Sequence, residues 1–263
     1  MSKNEKFWKS FMANEGDRKV AREGTDPLEE GLERMTWFEN SARIVKNAVR
    51  KTHETFGEEV GNSITSGILA FYVLGMIPFA SVHAFRHAPE GKGALDAFGV
   101  SVFLITMFLA TLFTTIYHFL RHGSIHKDVF RKLDHIMVYY AIFGVYTPVC
   151  LSLVGGGLGL GILIAEGVLA VLGTILMALT YPKYKIAVGI YGIMGILFLF
   201  MLKPFYNAAT AACFWLLFAG LCVYILGLFF YSGKKFKFSH MVWHLLVLAA
   251  SVCHILALVY FFR

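Results

Sequence analysis

Three histidines and an aspartate pose the chemical question. The run FSHMVWHLLVLAASVCH (238–254) carries His240 and His244 four residues apart. In a helix that spacing puts both on one face, about 6 Å apart along the axis. A second run, FTTIYHFLRH, carries His118, and a third, RKLDHIMVYY, carries Asp134 as its fourth residue. An i,i+4 histidine pair joined by an imidazole from another helix supplies three nitrogen ligands. Such a set suits Zn²⁺ at about 2.0–2.1 Å, with a fourth position open to water. Asp134 would accept a hydrogen bond from that water or act as its general base. Each residue alone has a plainer role. A single histidine in an apolar run is more often a hydrogen-bonded packing residue than a ligand. Asp134 reads equally well as an interfacial ion pair with Arg131 or Lys132.

The elements that must position these groups are membrane-spanning helices. The chain of 263 residues is 57% hydrophobic and only 16% charged, against roughly 25% charged in a soluble domain. Residues 1–60 hold 11 of the 24 Lys+Arg and 12 of the 17 Asp+Glu. A polar leader (1–60) thus precedes an integral membrane body (61–263). The leader has no apolar signal-peptide core, so the first spanning helix is expected to drive insertion. A bilayer core about 30 Å thick needs about 20 apolar residues in helix. Seven stretches qualify, near 62–84, 97–120, 133–153, 158–180, 186–202, 208–231 and 239–262. The expected fold is an all-α bundle of seven transmembrane helices.

Loop charge orients it. With the N-terminus in the cytoplasm, the inside connections hold nine Lys+Arg and the outside segments four (Arg86, Lys92, Lys203, Arg263). This places the C-terminus outside. It also makes the net charge of +7 a topology signal and argues against nucleic acid as a partner. Within the leader, Phe38, Ala42, Val45, Val49, Thr52 and Phe56 form a stripe, with Arg43, Lys46, Arg50 and Lys51 off it. An amphipathic helix near 37–57 would lie on an anionic leaflet, meet a cytoplasmic partner or serve as a solvated connector. Residues 1–35 read as loosely folded. The four cysteines lie in apolar runs, outside any CxxC pair, and read as small buried hydrophobes.

This topology gives the polar residues a common depth. His118 ends helix two, Asp134 begins helix three, and His240 and His244 begin helix seven. Glu59 and Asn62 begin helix one. All fall at the cytoplasmic end, from four helices. Intramembrane ionisable groups are expensive and usually face the bundle or a cavity, so the third histidine beside a carboxylate tips the spacing toward a metal. His254 lies too far along helix seven to share one ion and reads as a polar packing residue. Glu166, in helix four toward the outer side, reads as a separate polar contact. His122, His126 and His135 are loop or edge residues that need no metal.

At these residues the chain resembles the hemolysin III branch of the progestin and adiponectin receptor family. The resemblance rests on TTIYH, RKLDH and SHMVWH, with GEEVGNS before helix one and YTP in helix three, and covers about 55–263. It implies seven helices, a cytoplasmic N-terminus and a zinc ion held by His118, His240 and His244. It implies that Asp134 holds the water at the metal. Two positions depart from the family pattern. Thr114 stands where the family has serine, keeping a hydroxyl four residues before His118. Ser66 stands where the first-helix pattern Glu59, Asn62 would continue to a histidine. Glu59 and Asn62 are expected behind the ligands, orienting them.

Three readings stand, the first of them implied by the related receptors and alkaline ceramidases. One is a zinc-dependent hydrolase of lipid amides in the plasma membrane, with Asp134 taking the proton and Thr114 steadying the oxyanion or the water. Another is a receptor or membrane-homeostasis sensor with a structural zinc. A pore ranks last, because polar groups gather at one side and line no continuous path.

Overall fold

In the computed structural model, residues 55–179, 184–231 and 238–262 are described. They form α1 (Phe56–His87), α2 (Gly93–Phe119) and α3 (Ile125–Pro148), which continues as a π-helical segment, Val149–Val154. Next come α4 (Gly156–Leu179), α5 (Tyr184–Ala208), α6 (Ala211–Tyr231) and α7 (Ser239–Ile255), the last continuing as a π turn, Leu256–Tyr260. Seven helices are long and apolar enough to cross a membrane, so the seven expected spans are all present. The leader with its amphipathic stripe lies outside the described residues up to residue 54.

Two elements begin earlier than the hydropathy pattern predicts. α1 starts at Phe56 because Thr55 and Glu58 form a capping box: Glu58 N donates to Thr55 Oγ1 (3.4 Å) and Thr55 N to Glu58 Oε2 (2.8 Å). α3 starts at Ile125, inside the expected loop 121–132. Ser124 caps it by accepting from Lys127 N (3.2 Å), and Asp128 lies in the first turn, where the helix dipole favours an acid. α5 is also longer than its predicted span, reaching Ala208.

The distribution of side chains inverts that of a soluble protein. Phe71 and Phe119 are each 81% exposed, and Ile64, Ile68, Leu199 and Phe200 also face outward. In lipid such a surface is solvated by acyl chains, while every helical backbone group is satisfied internally. Inside, Val100, Phe103 and Leu104 of α2 pack with Met201 and Phe205 of α5 and Leu258 of the α7 extension. Hydroxyls join α1 to α2, through Ser81 Oγ and Ser101 Oγ (2.7 Å) and Ser63 Oγ donating to Thr115 O (3.2 Å). Of the four cysteines expected to be buried, Cys150 and Cys213 are, Cys253 is half-buried and Cys222 is exposed.

α1 packs along α2, α2 along α3, and α3 against α4 and α5; α7 packs on α6 and returns to α1. That return is fixed at the end of the bundle where α1 begins. Glu58 Oε1 accepts the backbone N–H of Phe238 (2.8 Å), which precedes α7 with a left-handed φ of 66°. Ser239 Oγ donates to Phe230 O at the end of α6 (2.8 Å). The helices touch through Gly61, where an added Cβ would lie 2.6 Å from Met241 Sδ.

The contact at Gly61 yields a graded prediction. Gly61→Val should destabilise the bundle by about 1–3 kcal/mol, the usual range for overpacking. Gly61→Ala should cost much less, because the Met241 thioether can swing aside. Adding Met241→Ala to Gly61→Val should recover part of the loss in thermal unfolding in detergent. A valine variant as stable as the parent would refute the close approach.

Candidate metal centre

α2 and α7 bring the three histidines together. His118 lies in the last turn of α2, and His240 and His244 lie in the first two turns of α7. One nitrogen from each falls within 4.8 Å of the others. His240 Nε2 and His244 Nε2 are 3.0 Å apart. The His118 ring stands 5.4 Å from that of His240 and 4.8 Å, edge-on, from that of His244. His118 and His244 are buried and His240 is half-buried.

The donor set fits a divalent transition metal. Nitrogens bound to one tetrahedral ion at 2.0–2.1 Å lie roughly 3.3–3.4 Å apart, close to the His240–His244 separation. His118 is prepared for the role by Glu59, whose Oε2 accepts from His118 Nδ1 (2.8 Å). With Nδ1 as the donor, the neutral imidazole carries its lone pair on Nε2. Imidazole triads serve several metals, so the triad could hold a metal ion without the geometry naming the element.

Glu59 is a junction of charge as well as a hydrogen-bond acceptor. Its Oε1 accepts from Lys127 Nζ (3.0 Å) and lies 3.0 Å from His122 Nε2. The expected spans leave Lys127 in the connection 121–132, one of the inside loop cations; in the structure it is 6% exposed. Its ammonium also donates to Tyr117 O and Leu120 O (3.0 Å each), occupying carbonyls at the end of α2, and sits 4.7 Å over the Tyr117 ring. The available signal was Ser124: an N-cap there puts Lys127 in the first turn of a helix and out of the loop. Asn62 is fully buried on α1, one turn beyond Glu59, and Ser66 is buried a turn further on.

Asp134 is held by groups on α2 and α3, the second of which is braced in turn from α5 and α6. Thr114, one turn before His118 on α2, donates from Oγ1 to Asp134 Oδ1. Asp134 Oδ2 lies 3.6 Å from His135 Nδ1. That Nδ1 is 2.9 Å from Arg131 O, while Nε2 is 3.1 Å from Tyr231 OH of α6. Tyr191 OH of α5 donates to His135 O (2.7 Å). Asp134 is close enough to act electrostatically on His118 and His240. Arg131 and Lys132, the ion-pair partners considered from the sequence, approach Asp128 (3.7 Å) and Ala178 O (3.4 Å). His135, an edge residue by sequence, is thereby a link from α3 to α5 and α6.

His254 and Glu166 lie apart from the triad. His254 Nε2 is 3.3 Å from Leu217 O, and its ring fills the space left by Gly220 of α6, a packing contact as expected. Glu166 departs from its reading as a polar contact. It is fully buried, and neither carboxylate oxygen has a hydrogen-bond partner among the described residues.

Removing one member of a buried ion pair strands the other, which typically costs about 3–5 kcal/mol. Glu59→Leu should therefore destabilise more than the pair Glu59→Leu with Lys127→Met. Chemical unfolding of both variants, with Lys127→Met alone closing the cycle, measures the coupling. Additive losses would mean that the two charges do not interact.

A family profile described as Haemolysin-III related matches residues 55–255. Hemolysin-3 from Bacillus cereus is 36% identical over 195 residues, which is 74% of this chain and 87% of that protein. Hemolysin-3 homolog from Bacillus subtilis (strain 168) is 34% identical over 199 residues, 75% of this chain and 91% of that protein. No solved structure matches at a significant level. The matched region begins at the cap of α1 and ends with α7, taking in the spans and the histidine triad, and the chain belongs to the haemolysin-III related branch of the progestin and adiponectin receptor family, as a multi-pass membrane protein.

Proposed function

We propose that the protein is a zinc-dependent hydrolase of lipid amides, ceramide-like in class, acting in the plasma membrane. The observation that carries this reading is the pairing of Thr114 with Asp134 beside the three imidazoles. A structural metal needs four closed ligands; three histidines with a carboxylate held nearby leave room for a water and its base. The distribution of Lys and Arg supports a cytoplasmic N-terminus, which would put the centre near the inner leaflet.

His118, His240 and His244 would hold the metal. Bound there, Zn²⁺ would polarise the amide carbonyl and lower the pKa of a water toward about 7. Asp134 takes the proton at its carboxylate and delivers it to the leaving amine, so that water and amide become fatty acid and amine. Thr114 keeps Oδ1 oriented by donating to it. Glu59 holds the His118 tautomer and, with Lys127, fixes α1 and α3 around that ring. The apolar exterior supports a substrate that arrives from the bilayer.

A second reading is a sensor with a structural metal. It is favoured by the position of the triad across α2 and α7, where occupancy would set how the last helix closes on the first three. One set of experiments separates the two. Purified protein should contain about one zinc per chain, lost in His240→Ala and His244→Ala. The zinc-loaded form should release fatty acid from a ceramide. Asp134→Asn should keep the metal and lose about 10²–10⁴-fold in rate, the usual contribution of general acid–base catalysis. Equal release from this variant would end the hydrolytic reading. A fall in melting temperature on chelation, with no turnover of any lipid amide, would select the sensor.

A further inference from the structure

The carboxyl group of Glu166 has no part in the metal centre. It lies near the middle of α4, roughly 15–20 Å from either end at 1.5 Å per residue. Its place on the helix is the inner seam. Gly159 and Gly173, seven residues to either side, both face α3: a Cβ at Gly159 would meet Cys150 O and one at Gly173 would meet the Tyr139 ring. Ile162 and Ala170, one turn away in each direction, are buried in the two apolar clusters of the bundle. Glu166 is thus the one acid set into a stripe of Gly, Ala and Ile, with 0% exposure and both oxygens without a hydrogen-bond partner among the described residues.

Among the described residues, the groups found to interact with it carry no positive charge. From α3, Tyr146 and Cys150 are close enough to interact with it electrostatically. Tyr146 OH donates to Met194 O of α5 (2.7 Å), and Cys150 Sγ lies 3.7 Å from Met201 Sδ. α4 has no other ionisable side chain; on α5, Tyr191 lies in the neighbouring cluster of Tyr139, Ala170 and Met194, its hydroxyl committed to His135 O. An ionised carboxylate without a cation or donors is very costly in such surroundings, whereas the neutral acid is tolerated. The backbone opposite it is loosened. Pro148 has no N–H to offer Gly144 O, and α3 then widens into the π-helical segment Val149–Val154, ending in Gly155 and Gly156 with φ of 65° and 59°. π segments inside helices recur at functional sites.

We propose that Glu166 is a proton-binding site in the middle of the bundle, holding its proton in the packed arrangement described above and exchanging it through the seam between α4 and the π segment of α3. The ligand is the proton itself: a hard metal cation needs a set of several oxygen ligands, whereas among the described residues neither carboxylate oxygen has even one hydrogen-bond partner.

Full-length protein in lipid vesicles provides the test. Dicyclohexylcarbodiimide enters apolar phases and adds whole to a protonated carboxyl, whose proton passes to a reagent nitrogen, so no group leaves. Peptide mass mapping of the wild type should find the adduct on Glu166. Infrared spectra should show a protonated-carboxyl C=O band that diminishes as the buffer is made alkaline and is absent from Glu166→Gln and Glu166→Leu, with metal content unchanged. The wild-type adduct and band stand even where one variant fails to fold. No adduct and no band would overturn the proposal. A band that never titrates would also overturn it, leaving a permanently neutral packing group. Protection of Glu166 by sodium or potassium would assign the site to a cation and refute the proton.

Discussion

The carboxylate of Glu59 is the interaction on which the polar end of this bundle depends. A negative charge among helix ends is tolerable only with partners, and it has them on two further elements: His118 from α2 and Lys127 from α3, with His122 from the connection between them. Lys127 in turn occupies carbonyls that the end of α2 would otherwise leave unsatisfied. Charge neutralisation, helix capping and the orientation of an imidazole of the candidate metal triad are therefore one network. The neighbouring Glu58 extends it to one more helix, α7, through the backbone of Phe238. Two consecutive acids on α1 thus hold α2, α3 and α7 at a common level.

The apolar half of the bundle follows a different rule. Close approach there is made by small residues and widened backbone: Gly159 under the Cys150 carbonyl, Gly173 under Tyr139, and Gly220 under His254. Lipid gives no hydrophobic advantage to helix association, so packing contacts and scattered hydroxyl bonds must supply it. Glu166 violates this rule inside the same seam. A residue that costs stability without an evident partner is where a functional demand on the bundle is to be sought.

Much of this was legible in the sequence. Helix number came from hydropathy, because a spanning helix must satisfy its own backbone and leaves an unmistakable apolar run. The meeting of His118 with His240 and His244 came from counting spans, since opposite helix directions return chain-distant residues to one side. The partners of polar groups were not legible. Lys127 looked like a loop cation because its burial depends on Ser124 starting α3 early and on the carboxylate of Glu59, 68 residues away, being within reach. His135 looked like an edge residue because its partners, Tyr191 and Tyr231, come from helices whose rotation no periodicity specifies. The isolation of Glu166 was equally invisible, as an absent partner leaves no pattern.

The bond from Glu58 to Phe238 spans 180 positions of the chain. Helices one to three emerge from the ribosome long before helix seven, in the usual N- to C-terminal order. By then His118, Glu59 and Lys127 already have one another, so the early intermediate need not expose a lone charge to lipid. The imidazoles of α7 arrive last, onto a surface already set. Any metal the triad takes up could therefore be captured only after helix seven is in place, so that its uptake would report that the whole chain has been threaded.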